Sequence, residues 1–109
     1  MFINDPIKIL EEAYENLYGA VNFELYWDII TDDAVGMTFF PDDGSTPQIL
    51  IDVRLEMYKV PEIIAHEMAH VVAGEKSGHS QHWENVFDEI KEEYERIVGE
   101  RYGYARQLY

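Results

Sequence analysis

The five residues His66-Glu67-Met68-Ala69-His70 constrain this chain more than any other stretch. They read H-E-x-x-H inside an apolar run, Val60 to Ala73, whose residues Ile63, Ile64, Ala65, Met68, Val71 and Val72 carry helical character. On an α-helix, positions four apart are offset by only about 40°. His66 and His70 therefore project from one face, one turn apart, and both imidazoles can reach a single metal ion. Glu67 lies on the edge of that face, where its carboxylate can meet a water without being a ligand itself. Two nitrogen ligands, a general base and a third ligand from elsewhere are the layout of a zinc hydrolase. The plainer alternative is a polar stripe whose histidines make ordinary hydrogen bonds. The apolar neighbours weigh against it, because buried polar groups need partners and a metal supplies one.

The third ligand discriminates between kinds of site. The metzincin pattern requires Gly three and His six residues after the second histidine; Ala73 and Lys76 stand there. No Asp lies between His70 and Phe87. His79 and His82 remain, in Ser77-Gly78-His79-Ser80-Gln81-His82-Trp83. Gly74 and Gly78 can end the helix and turn the chain, and Ser80 can cap the next helix. That puts His79 in the loop entering the second helix, free to return to the metal, and makes it the preferred ligand. His82 falls inside that helix, away from its apolar stripe. It reads as a surface histidine or as a hydrogen-bond donor to substrate.

His66-Glu67-x-x-His70 followed by Gly78-His79-x-x-x-Trp83 resembles the SprT-like zincins, relatives of the Spartan protease domain. The approach is similar too: an extended Ile49-Leu50-Ile51-Asp52, then Arg54-Leu55, a helix start at Pro61, and the motif. The resemblance covers roughly Pro47 to Ile90. Ser80 stands where that family carries a glycine, and the aromatic falls one residue later. The resemblance implies Zn2+ held by His66, His70 and His79, with Glu67 as the catalytic base.

Organisation follows from the order of patterns. Asp5-Pro6 is a cap followed by a favoured first helical residue, and Ile7, Leu10, Tyr14, Leu17, Tyr18 and Val21 then keep helical spacing up to a stop near Gly19. Phe23, Leu25, Trp27 and Ile29 alternate with polar residues as a half-buried strand does. After an Asp32-Asp33 turn, Val35, Met37 and Phe39 alternate again; Pro41-Asp42-Asp43-Gly44 is a turn, and Ile49, Ile51 and Val53 form a third strand. After helix 60–74 and the ligand loop, Trp83, Val86, Phe87, Ile90, Tyr94, Ile97 and Val98 make one apolar stripe, with Gly99 as its expected stop. The expected fold is α+β and minimal zincin-like: an N-terminal helix, a three-stranded mainly antiparallel sheet, the active-site helix, the ligand loop and a C-terminal helix. At 109 residues it is expected to be one domain, 1–109. The tail from Arg101, with Tyr102, Tyr104 and Tyr109, can pack on the body or serve a partner.

The chemistry expected of such a site is peptide hydrolysis, with Glu67 taking a proton from water and passing it to the leaving amine. His82, Tyr58 and Tyr26 are candidates to stabilise the oxyanion. The substrate is a protein or peptide strand, paired with an exposed edge at strand 35–40 or 48–54. Two other classes compete: a catalytically idle zincin used as a binding module, and an acidic decoy that mimics DNA. Intact Glu67 argues against the first, since a purely structural site needs no base there.

There is no cysteine, which excludes disulfides, thiolate ligands and a cysteine nucleophile. The N-terminal residues show neither a basic region nor a long apolar run, so no signal peptide or membrane span is expected and a cytoplasmic location is the default. The net charge is −14, from 8 Lys and Arg against 22 Asp and Glu. The cations are scattered. Solubility is the plain reading of this charge; attraction of basic substrates is the sharper one. Affinity for nucleic acid rests on neutralising phosphates, and no surface for it is visible. Zinc-loaded protein titrated with single- and double-stranded DNA in an anisotropy experiment at about 50 mM salt should therefore give no binding at micromolar concentrations. Micromolar or tighter binding would contradict this reading of the charge.

Overall fold

The computed structural model describes residues 5–31 and 33–102. Residues 103–109 of the tail and Asp32 of the turn lie outside the described residues. Three helices and three strands follow in the expected order: α1 (Pro6–Tyr18), β1 (Glu24–Asp28), β2 (Gly36–Phe39), β3 (Gln48–Asp52), α2 (Val60–Ala73) and α3 (Gln81–Tyr102). The architecture is α+β, with a helical layer packed on one face of a small sheet.

Local chemistry sets the helix ends. Asp5 caps α1, its side chain accepting the Ile7 N–H at 2.9 Å, with Pro6 at the first helical position. The Gly19 N–H closes the helix on the Glu15 carbonyl. Ser80 precedes α3 and its hydroxyl accepts the Trp83 N–H at 3.2 Å. α3 does not stop at Gly99 but runs to Tyr102. A single interior glycine costs a helix only about 1 kcal/mol, and Arg101 on the far side of Gly99 forms an ion pair with Glu12 of α1. That pair, with the Tyr18–Glu89 and Asn16–Glu93 hydrogen bonds, ties α1 along α3.

The core lies between the helices and the inner face of the sheet. Leu10 and Tyr14 of α1, Ile49 and Ile51 of β3, Ile64 and Met68 of α2, and Val86 and Ile90 of α3 pack together, all buried. A smaller cluster joins Ile9 and Ala13 to Ile97, so α1 buries residues on both sides of its expected stripe. Leu17, assigned to that stripe by spacing, is exposed.

The sheet order is β1-β3-β2, with β1 parallel and β2 antiparallel to β3. The sheet is thus mixed, one pairing of each kind, where the sequence suggested a mainly antiparallel one. Alternation marks strands without naming neighbours. β3 takes the centre because it is the most apolar strand, and a central strand is covered on both sides by ladder and on one face by helix. Register places Leu25, Ile49 and Thr38 in one row and Trp27, Ile51 and Gly36 in the next, all on the helix side. On β2 the apolar set therefore points outward: Met37 is 40% and Phe39 51% exposed, while Gly36 and Thr38 face α2. The exits of β1 and β3 are clamped by buried Asp52. It accepts the Ile30 N–H at 3.1 Å and the Arg54 N–H at 2.8 Å, and pairs with the Arg54 guanidinium. These donors hold its carboxyl well below the usual carboxylate range. No helix among the described residues is long and apolar enough to cross a membrane.

Gly36 is what lets β2 lie close on α2. A Cβ there would meet Ile63 Cγ2 at 2.8 Å and Glu67 Oε2 at 3.3 Å. Gly36→Ala should lower stability by about 1–3 kcal/mol, the usual range for overpacking, read as a drop in the thermal midpoint of the metal-free protein. An unchanged midpoint would mean that β2 does not press on α2.

Candidate metal centre

α2 carries His66, Glu67 and His70, as its spacing requires, and the loop to α3 brings in His79. That loop is held at several points. The Gly74 N–H donates to the His70 carbonyl at 2.9 Å, and the Ser77 N–H to the Gly74 carbonyl at 3.1 Å. The Ser77 and Ser80 hydroxyls are hydrogen-bonded to each other. Gly78 has φ +56° with ψ −140°, a backbone conformation that L side chains rarely adopt. The turn at Gly78 directs the next residue, His79, back over α2.

His79 Nε2 lies 3.2 Å from His66 Nε2 and 3.2 Å from His70 Nε2. The candidate ligand atoms of the three histidines all lie within 4.8 Å of one another, and no other such group occurs among the described residues. One ring nitrogen carries at most one proton, so a hydrogen bond can satisfy one of these short contacts but not both. A cation at their centre satisfies all three lone pairs. Nitrogens at the usual distance of about 2.0–2.1 Å from a tetrahedral zinc lie roughly 3.4 Å apart, close to the separations seen. The donor set fits a divalent ion that favours imidazole, a class that includes zinc, copper, iron and nickel.

The surroundings favour the neutral form of two of the candidate ligands. Burial, and then the neighbouring histidine charges, push the His70 imidazole down to about 4. Burial and His79 also lower His66, with Glu62 opposing. A neutral imidazole has the free lone pair that a metal needs.

Trp83 forms the floor of the site. Its ring centroid is 4.6 Å from His66, 5.3 Å from His70 and 4.7 Å from His79. Its indole N–H donates to the His66 carbonyl at 3.2 Å. In the sequence Trp83 was visible as a member of an apolar stripe and as the aromatic that closes the Gly78-His79-x-x-x-Trp83 pattern. Its place six residues into a histidine-bearing loop and helix start gave no sign that it would touch all three rings.

Glu67 is buried beside the cluster, its Oε2 4.0 Å from His66 Nε2. Thr38 Oγ1 donates to Glu67 Oε1 at 2.7 Å. Burial raises the Glu67 carboxyl above its ordinary value, and the Thr38 hydrogen bond and His79 oppose the rise. Thr38 had no signal in the sequence beyond its alternation with Met37 and Phe39.

These groups open on a cleft of about 490 Å³, lined on one side by Gly36 to Phe40 and Asp42 and on the other by Glu75, Gly78 and His79. Three sequence candidates for oxyanion stabilisation do not line it. Tyr26 is on the outer face of the sheet, bonded to Glu24. Tyr58 is exposed in the turn before α2, and His82 is exposed on the first turn of α3. Of the two edges considered for a substrate strand, β3 is central and has none free; β2 borders the cleft with one edge unpaired.

The fold is similar to that of the metallopeptidase zymogen abylysin of Pyrococcus abyssi, with a TM-score of 0.59 and 23% sequence identity over 89% of this chain and 95% of that chain. This likeness gives the chain a minimal zincin-like fold. No family model matches the sequence, and no curated protein matches it.

The lowered histidines make metal-free stability depend on pH. Their folded values lie below the ordinary value of about 6.5, so below that pH the unfolded chain binds protons that the native state refuses, and stability falls. The thermal midpoint of chelator-treated protein should be full above pH 7 and drop by several degrees by about pH 5. The drop should shrink in His70→Gln. A flat profile over that interval would show that His66 and His70 are not held neutral by the fold.

Proposed function

We propose that this chain is a zinc-dependent metallopeptidase, with His66, His70 and His79 as ligands and Glu67 as general base. The observation that carries the reading is the convergence of three imidazoles beside a buried carboxylate, in a cleft bordered by a free strand edge. The likeness in fold to a metallopeptidase zymogen supports it. The finer SprT-like affinity rests on the motif through Gly78-His79 and Trp83. Zinc when bound supplies Lewis acidity and lowers the pKa of water toward neutrality. Glu67, with Oε2 on the histidine side, accepts the proton of the attacking water and returns it to the leaving amine. Its raised pKa brings it nearer to the neutral value that suits a base and acid in turn. The free edge of β2 takes the substrate as an added strand, with main-chain hydrogen bonds giving affinity.

The cleft favours basic segments. Asp42 and Glu75 stand at its two rims, no Lys or Arg lines it, and the chain as a whole carries −14. Contacts of this kind weaken as salt rises. Direct binding of nucleic acid is not part of the proposal, and a cytoplasmic setting is. An idle zincin kept as a binding module would place the same histidines together. Against it stands Glu67: burying a carboxylate is costly, and a structural site gains nothing from this one.

The test is Glu67→Gln. Zinc content and fold should be retained while hydrolysis of a protein or peptide substrate falls by about 10²–10⁴-fold, the usual worth of general base catalysis. Turnover equal to that of the wild type would remove Glu67 from the mechanism. Zinc-loaded wild type inert toward basic and acidic peptides alike would favour the binding module.

A further inference from the structure

We infer that Thr38 is a positioning residue that registers the base to the substrate: its hydroxyl holds the Glu67 carboxylate while its own peptide groups face the strand that binds at the cleft. The inference rests on the peptidase reading above, but the geometry that suggests it does not.

Two contacts converge on the Thr38 hydroxyl: Glu67 Oε1 at 2.7 Å and the Glu67 carbonyl oxygen at 3.2 Å. The hydroxyl has one proton. The shorter contact, to a carboxylate, takes it, because charge-assisted hydrogen bonds are the stronger kind. With Oε1 fixed in this way, Oε2 is left on the side of the histidines, 4.0 Å from His66 Nε2. Gly36, two residues earlier on the same face of β2, completes the seat. Its missing side chain leaves room for Glu67 Oε2 and Cγ, which a Cβ would meet at 3.3 and 3.4 Å.

The ladder shows where the backbone of these same residues points. The Asp52 N–H donates to the Val35 carbonyl at 3.0 Å, which makes Val35 and Asp52 a hydrogen-bonded pair. In an antiparallel ladder such pairs alternate, so Met37–Leu50 and Phe39–Gln48 are of the same kind. Gly36 and Thr38 fall between them and direct their N–H and C=O groups away from β3. β2 is an edge strand, so these groups face the open side, along the cleft. A substrate strand added to β2 would bond to the peptide groups of Gly36 and Thr38. The side-chain positions of the same two residues seat Glu67. The substrate carbonyl and the base are thus fixed to one four-residue strand, with no loop between them to loosen the geometry.

The experiment uses the full zinc-loaded chain with Thr38→Val, which keeps the shape and removes the hydroxyl, and Thr38→Ser, which keeps the hydroxyl. The Val variant should lose about 10- to 100-fold in kcat, the usual effect of removing such a supporting hydrogen bond. Its KM and zinc content should be unchanged, because the backbone edge and the three histidines are untouched. The Ser variant should recover most of the loss. A crystal structure of the zinc-loaded wild type should show Glu67 Oε1 on Thr38, and the Val variant should show Glu67 displaced or split between rotamers. Undiminished kcat in Thr38→Val, an equal loss in Thr38→Ser, or a wild-type Glu67 turned away from Thr38 would overturn the inference. If the wild type cleaves no peptide, the peptidase reading fails on its own, and the two crystal structures still decide whether Thr38 sets the carboxylate.

Discussion

Three imidazole nitrogens that face one another with too few protons to share are the constraint on which this structure turns. A single proton can bridge only one of the two short contacts, whereas a cation among the nitrogens gives all three lone pairs a partner. The fold holds the three rings in this arrangement. His66 and His70 are fixed by the pitch of α2, and His79 by a loop with a left-handed glycine and two bonded serines. Trp83 packs beneath all three rings and bonds to the backbone of the first. Each of these devices costs local freedom, and together they hold the three rings in a geometry that a metal ion could occupy.

The second organising contact is that of β2 on α2. A small sheet offers one strand to the helix that carries the histidines, and Gly36 makes the approach close. The carboxylate of Glu67 is thereby enclosed, which raises its proton affinity and gives it a single hydrogen-bond donor from the strand. The outward turn of Met37 and Phe39 follows from the same contact, because their neighbours Gly36 and Thr38 take the inner face. Packing that would ordinarily put the larger residues inside is reversed here to make room for a polar group.

The sequence made the site more legible than the sheet. H-E-x-x-H on a helix needs only the helical pitch to be read, and Gly78-His79 needed only a turn signal and the exclusion of other ligands. Both rest on local geometry. The sheet order does not: alternation in 23–29, 35–39 and 49–53 gives three strands, but which one is central depends on tertiary burial. Thr38 was hidden for the same reason, since its hydrogen bond to Glu67 forms only where β2 lies across α2. Gly99 misled because a stop signal that is reliable at an exposed helix end is overridden by packing of α3 against α1. Tyr26 and Tyr58 were chemically suitable oxyanion donors, and the fold sends one to the outer face and the other to the turn ahead of α2.

Elemental analysis of protein purified without chelator, on the wild type and on His79→Ala and His82→Ala, decides whether His66, His70 and His79 together bind one zinc ion. One zinc per chain is expected in the wild type and in His82→Ala, and little or none in His79→Ala. Full zinc in His79→Ala together with its loss in His82→Ala would rule out His79 as the third ligand.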